Sequence, residues 1–258
     1  MKTPAAYNLL KARSEAPESF QKEDAERELT RIQQELEELQ YRLYAENRRS
    51  VLVILQGMDA SGKDGLIRRV FSGINPQGVQ VHSFKEPTEE ELGHDFLWRV
   101  HHHTPRAGMI QVFNRSHYED VLVTRVLGLI DDKVAKHRFE AINAFEKLLQ
   151  QSGTTVLKFY LHVSEKEQRE RLTERVKDPA KQWKYEAGDE DKAKQWPEYR
   201  AVYEDVFQHC SPKSCPWIIV PSDQNWYKAY VVAKTLHQAL QDMNPQYPKP
   251  KSEKRKQK

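Results

Sequence analysis

Eight consecutive residues, Gly57-Met58-Asp59-Ala60-Ser61-Gly62-Lys63-Asp64, carry groups that hold and neutralise phosphates. Gly57 and Gly62 let the backbone turn so that N–H groups along Met58, Ala60 and Ser61 converge on phosphate oxygens. A helix starting here adds about half a positive charge at its N-terminus, and Lys63 brings a mobile ammonium to the terminal phosphates. The spacing G-x-x-x-x-G-K has this meaning only between a strand and a helix; elsewhere it is a chance match. Position 64 departs from the pattern, because the hydroxyl that usually binds Mg²⁺ there is replaced by the carboxylate of Asp64. A second carboxylate, Asp59, lies inside the loop. Two carboxylates beside a phosphate cradle repel the substrate unless a cation lies between them. Asp59 and Asp64 are therefore candidate ligands of Mg²⁺, with Mn²⁺ as the other suitable hard ion. Helix capping is the alternative for Asp64, favourable by about 0.3–1 kcal/mol.

A second cluster, Asn114-Arg115-Ser116-His117-Tyr118-Glu119-Asp120, follows an apolar run. A motor or GTPase would place a metal-binding aspartate directly after such a strand, and here Asn114 stands in that place. Arg115 offers a planar fork suited to a phosphate oxygen or a developing transition-state charge. Pairing with Glu119 or Asp120 is its alternative. Lys85 ends another apolar run and opens onto the same rim. Consecutive residues of a helix point in different directions, so His101, His102 and His103 are poor zinc ligands. Cys210 and Cys215 lack partners at zinc spacing and are buried or solvated thiols.

A third group lies between Ser164 and Arg200. Arg171 and Arg175 are four apart on one helix face, and Lys177 and Lys181 follow. Phosphoryl transfer needs water kept away, and a closing lid over about residues 165–200 that carries Arg and Lys would do this while neutralising charge. Acids balance the bases in this stretch, so a salt-laced surface helix is the equal alternative.

These residues need a scaffold. Short apolar or β-branched runs at Val51–Gln56, Val79–Phe84, Met109–Phe113, Thr155–Val163 and Trp217–Val220 read as strands. Helical patterns stand between most of them, at Gly65–Ser72, Glu89–His103, Val121–Gln151 and Ser164–Lys177, and Trp226–Met243 reads as a closing helix. Alternation of this kind implies an α/β fold with a mostly parallel five-stranded sheet covered on both faces. Ligands then gather at the carboxyl ends of the strands, where all three clusters fall. Before Ser50, Leu29, Ile32, Leu36, Leu39 and Leu43 step by three and four, the mark of an amphipathic helix packed on its own domain. The expected division is a helical extension over 1–48, a main domain over 49–244 and a basic flexible tail over 245–258.

The 258 residues suit one domain with appendages. Net charge is +3, and the stretch Lys249–Lys258 alone contributes +5. A body that is otherwise slightly acidic does not point to nucleic acid as a partner. No apolar run approaches the ~20 residues that span a bilayer. No leader pattern and no disulfide framework are visible, which points to the cytoplasm.

Several motifs in order resemble the polyphosphate kinase 2 family: GMDASGKD at Gly57–Asp64, Asn75–Gly78, Phe84–Thr88, His94–Arg99, and FNRSHYED at Phe113–Asp120. Glu167–Lys184 is similar to its lid, and the likeness runs from about Tyr44 to Tyr230. The resemblance implies a thymidylate-kinase-like P-loop kinase core, a three-layer sandwich with a helical lid. It further implies Mg²⁺-dependent transfer of phosphoryl groups between inorganic polyphosphate and adenine nucleotides, with guanine as a second base. Asp59, Lys63, Asp64 and Arg115 would take catalytic and phosphate-binding roles, while Arg171, Arg175, Lys177 and Lys181 would face polyphosphate. Members that act mainly on diphosphates write F-D-R-S-W-Y-N-R. The present form belongs to the class that phosphorylates mono- and diphosphates, which ties Glu119 to AMP use. Family members are generally homo-oligomers. An ATP-dependent nucleoside monophosphate kinase and a non-catalytic nucleotide-binding module are the competing readings.

Overall fold

A computed structural model describes residues 8–180, 182–184 and 195–249. Five strands form one sheet: β1 (Ser50–Gln56), β2 (Val79–Ser83), β3 (Ile110–Asn114), β4 (Thr154–His162) and β5 (Trp217–Pro221). Their ends differ from the expected runs by no more than one residue, because continuous apolar runs are what a two-sided buried strand requires. The order is β2-β3-β1-β4-β5 and every pair is parallel. From β1 at the centre the chain goes to β2 and β3 on one side, then to β4 and β5 on the other. The resulting crevice opens at the carboxyl ends of β1, β3 and β4.

Alternate residues of β1 feed two cores, since side chains change face at every step. Leu52 and Ile54 join Phe113, Val156 and Tyr160 under α5 (Glu119–Val126), α6 (Asp132–Gln151) and α8 (Trp196–His209). Val51, Val53 and Leu55 join Ile110, Val112, Phe159 and Leu161 under α1 (Lys22–Glu46), α2 (Lys63–Phe71) and α9 (Asn225–Met243). In α1 the leucine stripe is buried against α9, with Leu36 and Leu43 fully covered. Among the described residues no helix is long and apolar enough to cross a membrane.

Two expected helices are each broken in two. Glu89–His103 forms α3 (Glu89–Leu92) and α4 (Trp98–His101). Thr88 and Glu91 make a reciprocal capping box that starts α3, Gly93 ends it, and Asp95 accepts from the backbone of Leu97 in a turn. Val121–Gln151 divides into α5 and α6 at Gly128, whose φ is +68°, and Asp131 caps α6 through the backbone N–H of Val134 at 2.8 Å. Ser164 caps α7 (Glu165–Lys177), the helix that leads into the lid segment. Lys181, residues 185–194 and the tail beyond Lys249 lie outside the described residues.

Candidate active site

The loop after β1 turns back onto α2, with Gly62 as the helix cap at φ +88°. Ala60 and Arg115 both have φ of +61°. The other described non-glycine residues in this region are Asn47 and Asn244, a type that tolerates it as a helix cap. Alanine and arginine do not. Each such conformation costs of order 1–3 kcal/mol and persists only where the surroundings enforce it. The two strained residues stand on the two loops singled out for phosphate chemistry.

Lys63 is almost wholly covered, and its ammonium donates to the carbonyls of Gly57 at 2.8 Å and Met58 at 3.3 Å. Burial lowers its pKa to about 8, helped by the charge of Arg115 and opposed by Asp59, Glu119 and Asp64. Arg115 Nη2 donates to Asp59 Oδ1 at 2.8 Å, so one of its partners is the loop aspartate. Its backbone N–H donates to Leu55 at 3.0 Å, which pins the second loop to the end of β1. Asn114 Nδ2 donates to Asp64 Oδ1 at 2.9 Å and to Ser83 Oγ at 3.3 Å, tying the ends of β2 and β3 to the first turn of α2.

Glu119 opens α5, and burial raises its pKa against the opposing charges of Arg115 and Lys63 and a hydrogen bond from Gln56. Burial also pushes Asp120 up to about 6, with Arg138 and Arg99 pulling the other way. Lys85 is exposed at the end of β2, and Arg99 holds its carbonyl at 2.7 Å while pairing with Glu91 at 3.0 Å. Met58, Ala60 and Ser61 are buried within the loop. Arg175 is half-buried and Lys177 exposed at the far end of α7. Arg171 instead reaches the outer side of the phosphate loop, where backbone carbonyls take up its fork.

Among the described residues no three His, Cys, Asp or Glu side chains are grouped to hold a metal ion. Mg²⁺ needs no such cage, since it keeps several waters and is held by one or two carboxylates with substrate phosphates. The carboxylates of Asp59 and Asp64 beside the cradle are a donor set of that chemistry, and the residues present fit the ion.

Three contributors escaped the sequence reading. Lys228 on α9 donates to the carbonyl of Ser61 at 2.8 Å, and Gln168 on α7 donates to that of Asp59 at 3.0 Å. Lys228 did leave a signal: it stands in the stripe of Val232, Leu236 and Leu240, where the helix buries apolar side chains. The third contributor lies behind Arg115. Lys158 pairs with Glu146 at 2.6 Å in full burial, and Tyr118 donates to the same carboxylate at 2.7 Å, which fixes the second loop from below. Burial raises the thiols of Cys210, to about 12, and of Cys215, as befits inert core cysteines.

A sequence model described as polyphosphate kinase 2 matches residues 19–248. The chain is 48% identical over 221 residues to the AMP/ADP-polyphosphate phosphotransferase of Meiothermus ruber, covering 86% of this chain and 83% of that protein. It is 42% identical over 242 residues to the ADP-polyphosphate phosphotransferase of Rhodopseudomonas palustris, covering 89% and 84%. The crystal structure of polyphosphate kinase 2 from Arthrobacter aurescens TC1 superimposes with a TM-score of 0.92 at 39% identity, covering 96% of this chain and 89% of that one. With a wholly parallel sheet, a phosphate loop after its central strand and these likenesses, the fold is the P-loop kinase α/β fold, and the chain belongs to the polyphosphate kinase 2 family.

Proposed function

We propose that this enzyme moves phosphoryl groups between inorganic polyphosphate and nucleoside mono- and diphosphates, converting AMP to ADP and ADP to ATP. One observation carries the reading. A complete phosphate loop faces an Arg115–Glu119 loop of the mono- and diphosphate form, in a chain 48% identical to an enzyme named for AMP, ADP and polyphosphate. The transferred phosphoryl is loosely bonded and highly charged at the transition state, so positioning and neutralisation are most of the chemistry. Lys63 and the loop N–H groups hold the phosphates on either side of the bond that breaks, and Arg115 meets the charge that develops. Glu119, half-buried near both cations, selects the nucleotide acceptor. Lys85, Arg175 and Lys177 line the path of the polyphosphate chain, and Lys181, expected to share it, lies outside the described residues. Asp59 and Asp64 would hold Mg²⁺, or Mn²⁺ in its place, which would neutralise phosphate oxygens. The family likeness supports adenine nucleotides first, guanine second, and a homo-oligomer acting in the cytoplasm.

The competing reading is an ATP-dependent monophosphate kinase, which needs the same loop. A donor swap separates the two: AMP and Mg²⁺ are supplied with polyphosphate alone or with ATP alone, and ADP is measured. Product with polyphosphate alone supports this reading, and product only with ATP overturns it.

A further inference from the structure

Every N–H of the Arg171 guanidinium has an acceptor within the protein. Nε donates to Glu167 Oε1 at 2.8 Å, Nη1 to the carbonyls of Ala60 and Ser61 at 3.1 and 3.2 Å, and Nη2 to those of Ser222 and Asp223 at 2.9 and 2.7 Å. Five donors in a rigid fork meet five acceptors, so a phosphate oxygen can bind this side chain only by displacing one of them. Lys228 adds a second cation to the same place. It is 1% exposed, and the hydrogen bond of its ammonium goes to the Ser61 carbonyl at 2.8 Å. Gln168 takes the neighbouring carbonyl of Asp59 at 3.0 Å.

The carbonyls of Asp59, Ala60 and Ser61 are thus all drawn to donors on α7 and α9. In a trans peptide the N–H points opposite the preceding C=O. Holding these carbonyls outward turns the N–H groups of Ala60 and Gly62 toward the cradle, while that of Ser61 closes a turn on Met58 at 3.1 Å. The arrangement also explains the backbone. Ala60 is kept at φ +61°, and at Gly62, whose φ of +88° favours glycine, a Cβ would stand 2.2 Å from Lys228 Nζ and push the ammonium from its place. Burial and the charges of Arg171 and Lys63 lower the pKa of Lys228 to about 7, a sign that the fold bears a cost to keep a lysine here.

We propose that Arg171 and Lys228 are positioning residues: together they brace the outer carbonyls of the phosphate loop and join it to the root of the lid. Arg171 is then not a polyphosphate ligand, and recognition of the chain on α7 falls to Arg175 and Lys177. The proposal rests on the phosphotransfer reading for its kinetic arm only.

The test uses the full-length chain carrying Arg171→Ala, Arg171→Lys or Lys228→Met, with Arg175→Ala/Lys177→Ala for contrast. Polyphosphate and AMP are varied separately at two salt concentrations, and amide hydrogen exchange is followed over residues 57–63 without substrate. A brace predicts for Arg171→Ala a kcat loss of about tenfold or more, with both KM values moving alike, since a misplaced loop spoils alignment rather than one contact. The salt dependence of the polyphosphate KM stays that of the parent, because no phosphate contact is lost. The loop amides exchange at least about tenfold faster as local opening becomes easier. Arg171→Lys does not restore these properties, since one ammonium cannot reach acceptors on every side of the fork. Lys228→Met shows the same pattern, and Arg175→Ala/Lys177→Ala weakens polyphosphate selectively. A selective rise in the polyphosphate KM for Arg171→Ala with a flatter salt dependence, rescue by lysine, or unchanged loop exchange overturns the proposal. Should Arg171→Ala fail to fold, Arg171→Lys and Lys228→Met give the same readouts. A parent that is inactive with polyphosphate would sink the functional reading, while the exchange arm still decides the brace.

Discussion

Arg115 and Asp59 meet across the mouth of the site, the arginine Nη2 donating to the aspartate Oδ1 at 2.8 Å from the end of β3 to the loop after β1. In the proposed function each has a second partner, a phosphoryl oxygen for the guanidinium and a divalent cation for the carboxylate. The pair is part-exposed, at 39% and 26% of the two side chains. Ion pairs of this kind contribute only about 0–1 kcal/mol, so separating the two costs little.

Asp59→Asn keeps the shape of the loop and removes the charge that would hold the ion. The Mg²⁺ concentration for half-maximal activity is expected to rise by about tenfold or more, with a lower maximum rate. A metal titration of initial rate checks this. An unchanged titration would make Asp59 a partner of Arg115 and nothing more.

Lys63→Ala is expected to lower kcat on the order of 10³-fold, as loss of the charge aimed at the transferred phosphoryl demands. The ammonium is buried against the carbonyls of Gly57 and Met58. Its depressed pKa shows that burial of the cation is unfavourable, so losing it offsets the lost hydrogen bonds. The melting temperature should therefore move little. A variant keeping more than about a tenth of parental turnover would remove Lys63 from the mechanism.

Glu119→Asn writes into this site the residue that the family resemblance gives to the diphosphate class. The expected outcome is a fall in kcat/KM for AMP that exceeds the fall for ADP by about tenfold, one hydrogen-bonded, partly buried contact. Parallel assays with the two acceptors read it. Equal losses would mean that Glu119 supports Arg115 and Lys63 and does not select the acceptor.

Lys228 makes stability depend on pH. Burial, Arg171 and Lys63 lower its pKa to about 7, against Glu167 and Asp223. Between about pH 7 and the ordinary value of 10.5, the unfolded chain holds a proton that the folded chain has released, so unfolding free energy gains from this group as pH rises. Below about pH 7 both states are protonated and the full penalty remains. Denaturant unfolding of the parent and Lys228→Met from pH 6 to pH 9 should show a flatter or less positive slope for the variant. Parallel curves would contradict the depressed pKa.

What was legible and what was not follows from the reach of each interaction. The strands and the phosphate loop are local patterns, and their sequence signals survive folding unchanged. The helix breaks at Gly93 and Gly128 were also local, but apolar periodicity continued across them and outweighed the capping residues. Arg171 was placed on the correct helix, but the backbone acceptors around it were not legible, because four of the five lie 51 to 111 residues away. Lys228 comes to the loop from 167 residues away, and only a charge in an apolar stripe announced it. Glu146 and Lys158 are likewise joined to Tyr118 only by tertiary packing.

The most direct measurement of the central claim is phosphorus NMR of the parent protein with AMP, polyphosphate and Mg²⁺, with no ATP added. Loss of internal polyphosphate phosphorus should be matched by the summed growth of the ADP β, ATP β and ATP γ signals, and Arg115→Ala should abolish both together. A polyphosphate spectrum that stays constant in the presence of AMP, or that changes only after ATP is added, would contradict the account.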